Sequence, residues 1–165
     1  MLGIVMAGGK STRMGTEKQM IMFKGKRLLD IACDAVKGAG LICLVAISKN
    51  APLTMKYALS KFNCIITPGI DYSYDISYIL NILDSPILTV PSDLPFLEKN
   101  HIIKMLKNFT GKSMAGVVLN ENNIVYTGIN IVSNTTFDIL YFFDDLKISV
   151  NLNSNKDLIK LKNFI

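Results

Sequence analysis

Residues Ile4 to Lys18 read I-V-M-A-G-G-K-S-T-R-M-G-T-E-K, and this stretch decides the fold. Ile4-Val5-Met6 is a short apolar run of the kind that forms a buried strand, and it breaks at once into Ala7-Gly8-Gly9 and a polar loop. Consecutive glycines allow positive φ and let backbone N–H groups point into a concavity unobstructed by a Cβ, which makes a nest for phosphate oxygens. Arg13 adds a planar fork of donors that matches a phosphate edge, while Lys10 and Lys18 add compact charges that can follow a phosphoryl group through a reaction. Ser11 adds a hydroxyl to the same loop.

Two common phosphate loops are excluded by register. A Walker A loop ending in Gly9-Lys10-Ser11 would require glycine where Ile4 stands, and the glycines Gly8, Gly9 and Gly15 do not fit G-x-G-x-x-G.

Working outward, strand-like and helix-like segments alternate. Leu28 to Lys37 carries apolar residues at helical spacing, and Leu41 to Ile47 is a continuous apolar strand. Leu53 to Phe62 is predicted helical after Pro52, and Cys64-Ile65-Ile66 is a third strand closed by Thr67-Pro68-Gly69. Ser73 to Leu83 is a helix, and Ile87 to Val90 a strand beginning after Pro86. A helix from Asn100, with Asn100 as its cap, runs to Phe109 and leaves His101 in a solvated or capping position. Strands follow at Ala115 to Leu119 and Ile124 to Val132, around an Asn-rich turn. Phe137 to Phe143, apolar all round, reads as a core helix capped by Asn134, Thr135 or Thr136, and Ile148 to Leu152 as a last strand before a terminal helix. The alternation predicts an α/β fold, a Rossmann-like three-layer arrangement over residues 1–165 as one domain, with a mostly parallel central sheet and its site at the strands' C-terminal ends.

That rule singles out Asp93, which follows the strand Ile87 to Val90 within Pro91-Ser92-Asp93-Leu94-Pro95-Phe96. A carboxylate facing a cationic phosphate loop suits an oxygen ligand for Mg²⁺, although Asp is also a common turn residue. Gly128, inside a strand pattern, suggests close approach of a ligand or another backbone.

Composition narrows the classes. Half of the 165 residues are apolar, which excludes disorder, and the net charge of +5 suits an anionic substrate. No Lys/Arg block stands beside aromatic clusters, so nucleic acid is not expected as a partner. Cys33, Cys43 and Cys64 are scattered and read as free thiols of a reducing compartment. The first strand begins almost at Met1, leaving no room for a removable leader, and the longest apolar run is too short for a membrane span, so a cytoplasmic location is predicted.

The motif Ala7, Gly8, Gly9, Ser11, Arg13, Met14, Gly15, Glu17 and Lys18 resembles the A-G-G-x-S/G-x-R-M-G-x-D/E-K signature of the MobA-like nucleotidyltransferases. Glu17 before Lys18, the segment Gly69, Tyr72 and Asp75 and the run Gly128-Ile129-Asn130 look most like the archaeal-type guanylyltransferases that act on adenosylcobinamide phosphate, while the ending Asn151-Leu152-Asn153-Ser154 resembles both these and the molybdenum cofactor guanylyltransferases. Pro95-Phe96 looks more like the molybdenum cofactor guanylyltransferases. The resemblance implies a fold of the nucleotide-diphospho-sugar transferase type, GTP and a phosphorylated small-molecule acceptor as partners, Mg²⁺ as cofactor and pyrophosphate as product. It implies that Arg13, Lys18 and Asp93 are catalytic, and that Asp93 and Asn153 hold metal, with a helix cap as the other reading of Asn153. Ala7, Gly8, Gly9, Lys10, Ser11, Arg13, Lys18, Gly69, Tyr72, Asp75, Gly128 and Asn130 would line the nucleotide. Tyr72 and Asp75 equally fit a helix start. A sugar-1-phosphate nucleotidyltransferase, a nucleotide-binding regulator without turnover, and a homodimer all stay open.

Overall fold

The structure is a computed structural model, described for residues 1–9, 15–133, 139–152 and 157. The readings of Lys10, Ser11, Arg13 and Asn153, the caps at Asn134 to Thr136 and the terminal helix lie outside the described residues.

Strand β1, Leu2–Met6, is flanked on both sides by parallel partners: β4, Ile42–Ile47, and β6, Ile87–Pro91. Met6 stands level with Ala46 on one side and Pro91 on the other, so the three central strands end together. β5, Cys64–Ile66, extends the sheet beyond β4. Beyond β6 the sheet continues with β8, Asn123–Val132, antiparallel to β6, then β7, Met114–Asn120, and β9, Ile139–Phe142. The seven-stranded order is β5-β4-β1-β6-β8-β7-β9. A separate hairpin pairs β2, Met22–Phe23, with β3, Lys26–Arg27, through Lys24 and Gly25 at φ 48° and 78°, the left-handed pair that a two-residue turn demands.

Helices cover both faces. On one side lie α1, Leu28–Gly38, α2, Pro52–Lys61, and α4, Lys99–Lys107, whose inward residues Leu29, Ala32, Ala58, Ile102 and Met105 join Val5, Val45 and Val90 in the main core. On the other side α3, Tyr72–Leu80, sets Ile76 and Ile79 against Ile4, Ala46 and Ile87. Burying side chains of this size stabilises by about 1.5–3 kcal/mol each. The thiols Cys33, Cys43 and Cys64 are free, as their scattered spacing predicts.

Three readings are corrected. The helix expected over Phe137 to Phe143 is replaced within its described part: Ile139–Phe142 is strand β9, paired with β7, because the exposed ladder of β7 offers more than local propensity does. Ile148 to Leu152 is not a strand. Leu146–Ser149 is a 3-10 turn capped by the Asp145 carboxylate, which accepts from the Lys147 N–H at 3.0 Å. The cap of α4 is Glu98, not Asn100: its side chain accepts from the His101 backbone, and its own N–H donates to His101 Nδ1 at 3.1 Å.

Helix α1 lies close over β1 because Gly3 has no side chain. A Cβ there would sit 2.3 Å from Val36 Cγ1, a fully buried methyl with nowhere to move. Gly3→Ala is expected to lower the urea unfolding free energy by about 1–3 kcal/mol through overpacking; an unchanged midpoint would show that α1 can lift off the sheet freely.

Candidate active site

Where β1 and β6 end, a cavity of about 300 Å³ opens, lined among others by Gly8, Gly9, Lys18, Gly69, Tyr72 and Asp93. Each wall is held by a bond that the local sequence dictates.

Ala7 prolongs β1 by donating to the Ala46 carbonyl at 2.8 Å. The chain then passes Ser48, whose hydroxyl donates to the Gly8 carbonyl at 2.6 Å. Positive φ is not the reason for the two glycines, contrary to expectation: neither Gly8 nor Gly9 adopts it. A Cβ on Gly8 would lie 3.1 Å from the Ser48 side chain, whereas a Cβ on Gly9 would meet open space within the cavity wall. Gln19, almost fully buried, supports the loop by donating its side-chain amide to the carbonyls of Ala7 and Gly9 at 3.2 and 3.4 Å. Gln19 and Ser48 were missed in the sequence, since neither residue type signals a buried brace.

Glu17 has a structural task. Its carboxylate accepts from the N–H groups of Leu53 and Thr54 at 2.9 and 2.6 Å, capping the first turn of α2 from a distant part of the chain. That anchor fixes the next residue, Lys18, whose ammonium donates to Asp93 Oδ2 at 2.6 Å. Asp93 is held in turn: Ser92 donates its hydroxyl to the Met6 carbonyl at 2.8 Å, and the Leu152 N–H donates to the Asp93 carbonyl at 3.2 Å. Edge-on packing of Phe23 on Phe96, centroids 5.3 Å apart, ties the β2–β3 hairpin to the same loop.

The opposite wall turns on Asp75, which lies in the first turn of α3 and is buried. Its carboxylate accepts from the Gly69 N–H at 2.9 Å and from the Thr67 hydroxyl at 3.0 Å. Asn50, a further residue that sequence reasoning missed, donates to the Gly69 carbonyl at 2.6 Å. Gly69 requires glycine twice over: its φ is +71°, and a Cβ would lie 2.5 Å from Ser48 Oγ.

Tyr72 lines the cavity with its ring while its hydroxyl is buried, sharing a hydrogen bond with Thr89 at 2.9 Å and accepting one from the Asn130 amide at 2.9 Å. Burial pushes the phenol above its ordinary range, an effect partly offset by these two bonds. Asn130 also donates to the Gly128 carbonyl at 3.2 Å, so it stands behind Tyr72 rather than on the open wall. Gly128, at φ +81°, makes its close approach to Pro91, with its would-be Cβ 3.1 Å from Pro91 Cγ.

Asp93 is the hard oxygen donor that a divalent cation in this cavity would use. Asp93 already faces one cation, the Lys18 ammonium, and Asn151 keeps a buried side-chain oxygen with no hydrogen-bond partner one residue before Leu152. Hard oxygen donors of this type suit Mg²⁺, which takes one or two carboxylates and leaves its remaining positions to phosphate and water. No group of three His, Cys, Asp or Glu residues gathers as a metal cluster among the described residues.

The signature of the MobA-like NTP transferase domain matches residues 3–138, which include every residue lining this cavity. The chain belongs to the MobA-like NTP transferase family. This MobA-like chain is 28% identical to the adenosylcobinamide-phosphate guanylyltransferase of Methanocaldococcus jannaschii, over 96% of its own length and 93% of that enzyme. A probable molybdenum cofactor guanylyltransferase of the same organism is also 28% identical, over 66% of this chain and 56% of that protein. In fold, it superposes on a Mycobacterium tuberculosis protein with a TM-score of 0.78 at 15% identity, covering 98% of this chain and 97% of the other. The CTP:phosphocholine cytidylyltransferase of Streptococcus pneumoniae gives 0.70 at 12% identity, covering 99% and 98%. The MobA-like chain thus has the nucleotide-diphospho-sugar transferase fold, and it is a nucleotidyltransferase by family. None of its helices is long and apolar enough to cross a membrane, among the described residues.

Because Asp75 satisfies two donors at once, Asp75→Ala is expected to cost about 2–3 kcal/mol in urea unfolding and to speed amide hydrogen exchange at Gly69. Asp71→Ala, which removes only the cap accepting from the Tyr74 N–H, should cost about 1 kcal/mol and leave Gly69 protected. Equal effects at Gly69 would refute the bracing role of Asp75.

Proposed function

We propose that this chain transfers GMP from GTP to the phosphate of adenosylcobinamide phosphate and releases pyrophosphate. The observation that carries the chemistry is the Lys18–Asp93 pair beside the glycine loop, a cation from the short turn at Lys18–Met20 and a carboxylate from the loop after β6, both lining one cavity. The choice of acceptor is supported by likeness to the cobinamide-phosphate enzyme along nearly the whole chain, against two thirds of it for the molybdenum cofactor relative.

In this reading the triphosphate lies over Gly8 and Gly9, whose N–H groups meet its oxygens where Gly9 leaves open space. Arg13, Lys10 and Ser11 hold the β- and γ-phosphates. The nucleoside rests against Gly69 and the Tyr72 ring, on a shelf braced by Asn50 and Asp75. An oxygen of the acceptor phosphate attacks the α-phosphorus, the bond from that phosphorus to the bridging oxygen breaks, and pyrophosphate departs with the electron pair. The acceptor phosphate is already ionised, so no protein base is required. Lys18 neutralises charge that grows on the α-phosphate, in a site where preorganised charge costs no reorganisation. Bound Mg²⁺, held by Asp93 with Asn151 or Asn153 as further oxygen donors, supplies charge neutralisation on the phosphates and the leaving group. Free Cys33, Cys43 and Cys64 favour a reducing compartment, the cytosol, for the reaction.

Pyrophosphate release tests this directly, with each NTP offered cobinamide phosphate, molybdopterin or hexose 1-phosphate in turn. GTP with cobinamide phosphate is expected to react, EDTA to stop the reaction and added Mg²⁺ to restore it. Lys18→Ala and Asp93→Ala should each lower kcat by about 10²–10³-fold, the scale of losing one preorganised electrostatic group. Tight GTP binding without release from any pair would sink the enzymatic reading, and release only with molybdopterin would transfer the acceptor assignment.

A further inference from the structure

Away from the phosphate cavity, at the start of β4, two cysteines meet across the helix–sheet interface. Cys33 lies on the inner face of α1 and is fully buried, and Cys43 is the second residue of β4, 6% exposed. Both belong to the main core, with Cys64 of β5 packed at its margin. The helix settles low at this spot because Gly3, level with Cys43 across β1 and β4, has no side chain to hold Val36 off the sheet. Val36 follows Cys33 by three residues, on the same face of α1, so the close approach that Gly3 permits also brings the two sulfurs together. Their thiols share a hydrogen bond, with Cys33 donating and Cys43 accepting.

Cys43 is the member of the pair that a small solute can reach. A cavity of about 310 Å³ opens over it, lined by Lys37, Cys43, Ser60, Lys61 and Phe62 among others. Two ammonium groups face the Phe62 ring there, Lys37 at 4.9 Å and Lys61 at 5.3 Å from its centroid. Lys61 is engaged by Asp30 and by the Tyr57 hydroxyl, at 2.8 and 2.9 Å, so Lys37 is the cation that acts on the sulfur. The bond from Cys33, helped by the Lys37 charge, holds the Cys43 thiol below its ordinary range against burial and the Asp34 carboxylate. Cys33 is pushed the other way, by the same bond and by burial. Cys64 is more exposed than either, yet burial raises its thiol, and its Sγ donates to the Phe62 carbonyl at 3.4 Å.

We propose that Cys43 and Cys33 form a peroxide-reactive modification site, in which Cys43 takes an oxygen from a hydroperoxide and Cys33 then closes onto it as a disulfide. The Cys43 sulfur attacks one peroxide oxygen, the O–O bond breaks, and the second oxygen leaves with the electron pair and becomes water once protonated. The Cys33 sulfur next attacks the sulfur of the resulting sulfenic acid. The S–O bond breaks, and the departing hydroxide takes the Cys33 proton to give a second water. Two thiols are oxidised by loss of two hydrogens, and one peroxide is reduced to water. Such a site needs a reachable nucleophilic sulfur with a resolving thiol beside it, and this pair supplies both. It stands three residues, about 10 Å, from Ala46 at the cavity end of β4, so it is distinct from the phosphate site. The closed bond would clamp α1 to the sheet at the place where Gly3 already lets it rest.

Treatment of the full chain with stoichiometric hydrogen peroxide, followed by thiol blocking and peptide mapping by mass, tests the assignment. The intact mass is expected to fall by two hydrogen atoms, with Cys33 linked to Cys43, Cys64 still a thiol, and dithiothreitol restoring the starting mass. In Cys33→Ala the link is lost and dimedone captures a sulfenic acid at Cys43, whereas Cys64→Ala oxidises as the wild type does. The wild-type map decides the matter whether or not Cys33→Ala folds. Oxidation of Cys64 ahead of Cys43, a link between Cys43 and Cys64, or a Cys33–Cys43 link that forms only after unfolding in urea would each overturn the proposal.

Discussion

The site depends on one ion pair, Lys18 to Asp93, joining loops 75 residues apart in the chain. At 2.6 Å, with side chains 21% and 11% exposed, neither charge is well solvated, so removing one partner would leave the other poorly compensated. The geometry is set from outside the pair. Glu17 spends its carboxylate on the first turn of α2, and Ser92 binds the end of β1, so both charges are delivered by backbone that is already fixed. In the reaction proposed above, such a pair is a resting arrangement: each group holds the other in position until a ligand of opposite charge competes for it.

Much of this was legible in the sequence because the parallel core writes itself in period and punctuation. Ile4 to Met6 and Leu41 to Ile47 are unbroken apolar runs, Ile87 to Val90 is interrupted only by Thr89, and a turn-forming residue, Gly8, Asn50 or Pro91, follows each within three positions. What escaped was decided by partners far along the chain. Ile139 to Phe142 shows neither alternation nor a helical stripe, so only the open ladder of β7 makes it a strand. Asn100 is a good cap by type, yet Glu98 wins because His101 returns the bond. The position of Asp93 could be read from the strand-end rule, whereas Gln19, Ser48 and Asn50 carry no such signal: they matter through the carbonyls of Ala7, Gly8 and Gly69, which no pattern of side chains reveals.

The two halves of the site are built on different principles. Around the glycine loop, positions are fixed by bonds to backbone and, at Gly69, by neighbours that forbid a side chain. Toward the β7–β8 hairpin, the surface consists of side chains that touch little else. The first kind of wall tolerates few substitutions, and the second kind tolerates many.

The strand order has a consequence for synthesis on the ribosome. β1 is made first but lies between β4 and β6, and its second neighbour begins only at Ile87. The glycine loop therefore has no floor until about 80 further residues have emerged, several seconds after β1 at roughly 5–20 residues per second. Until then the apolar residues of β1 have one edge open.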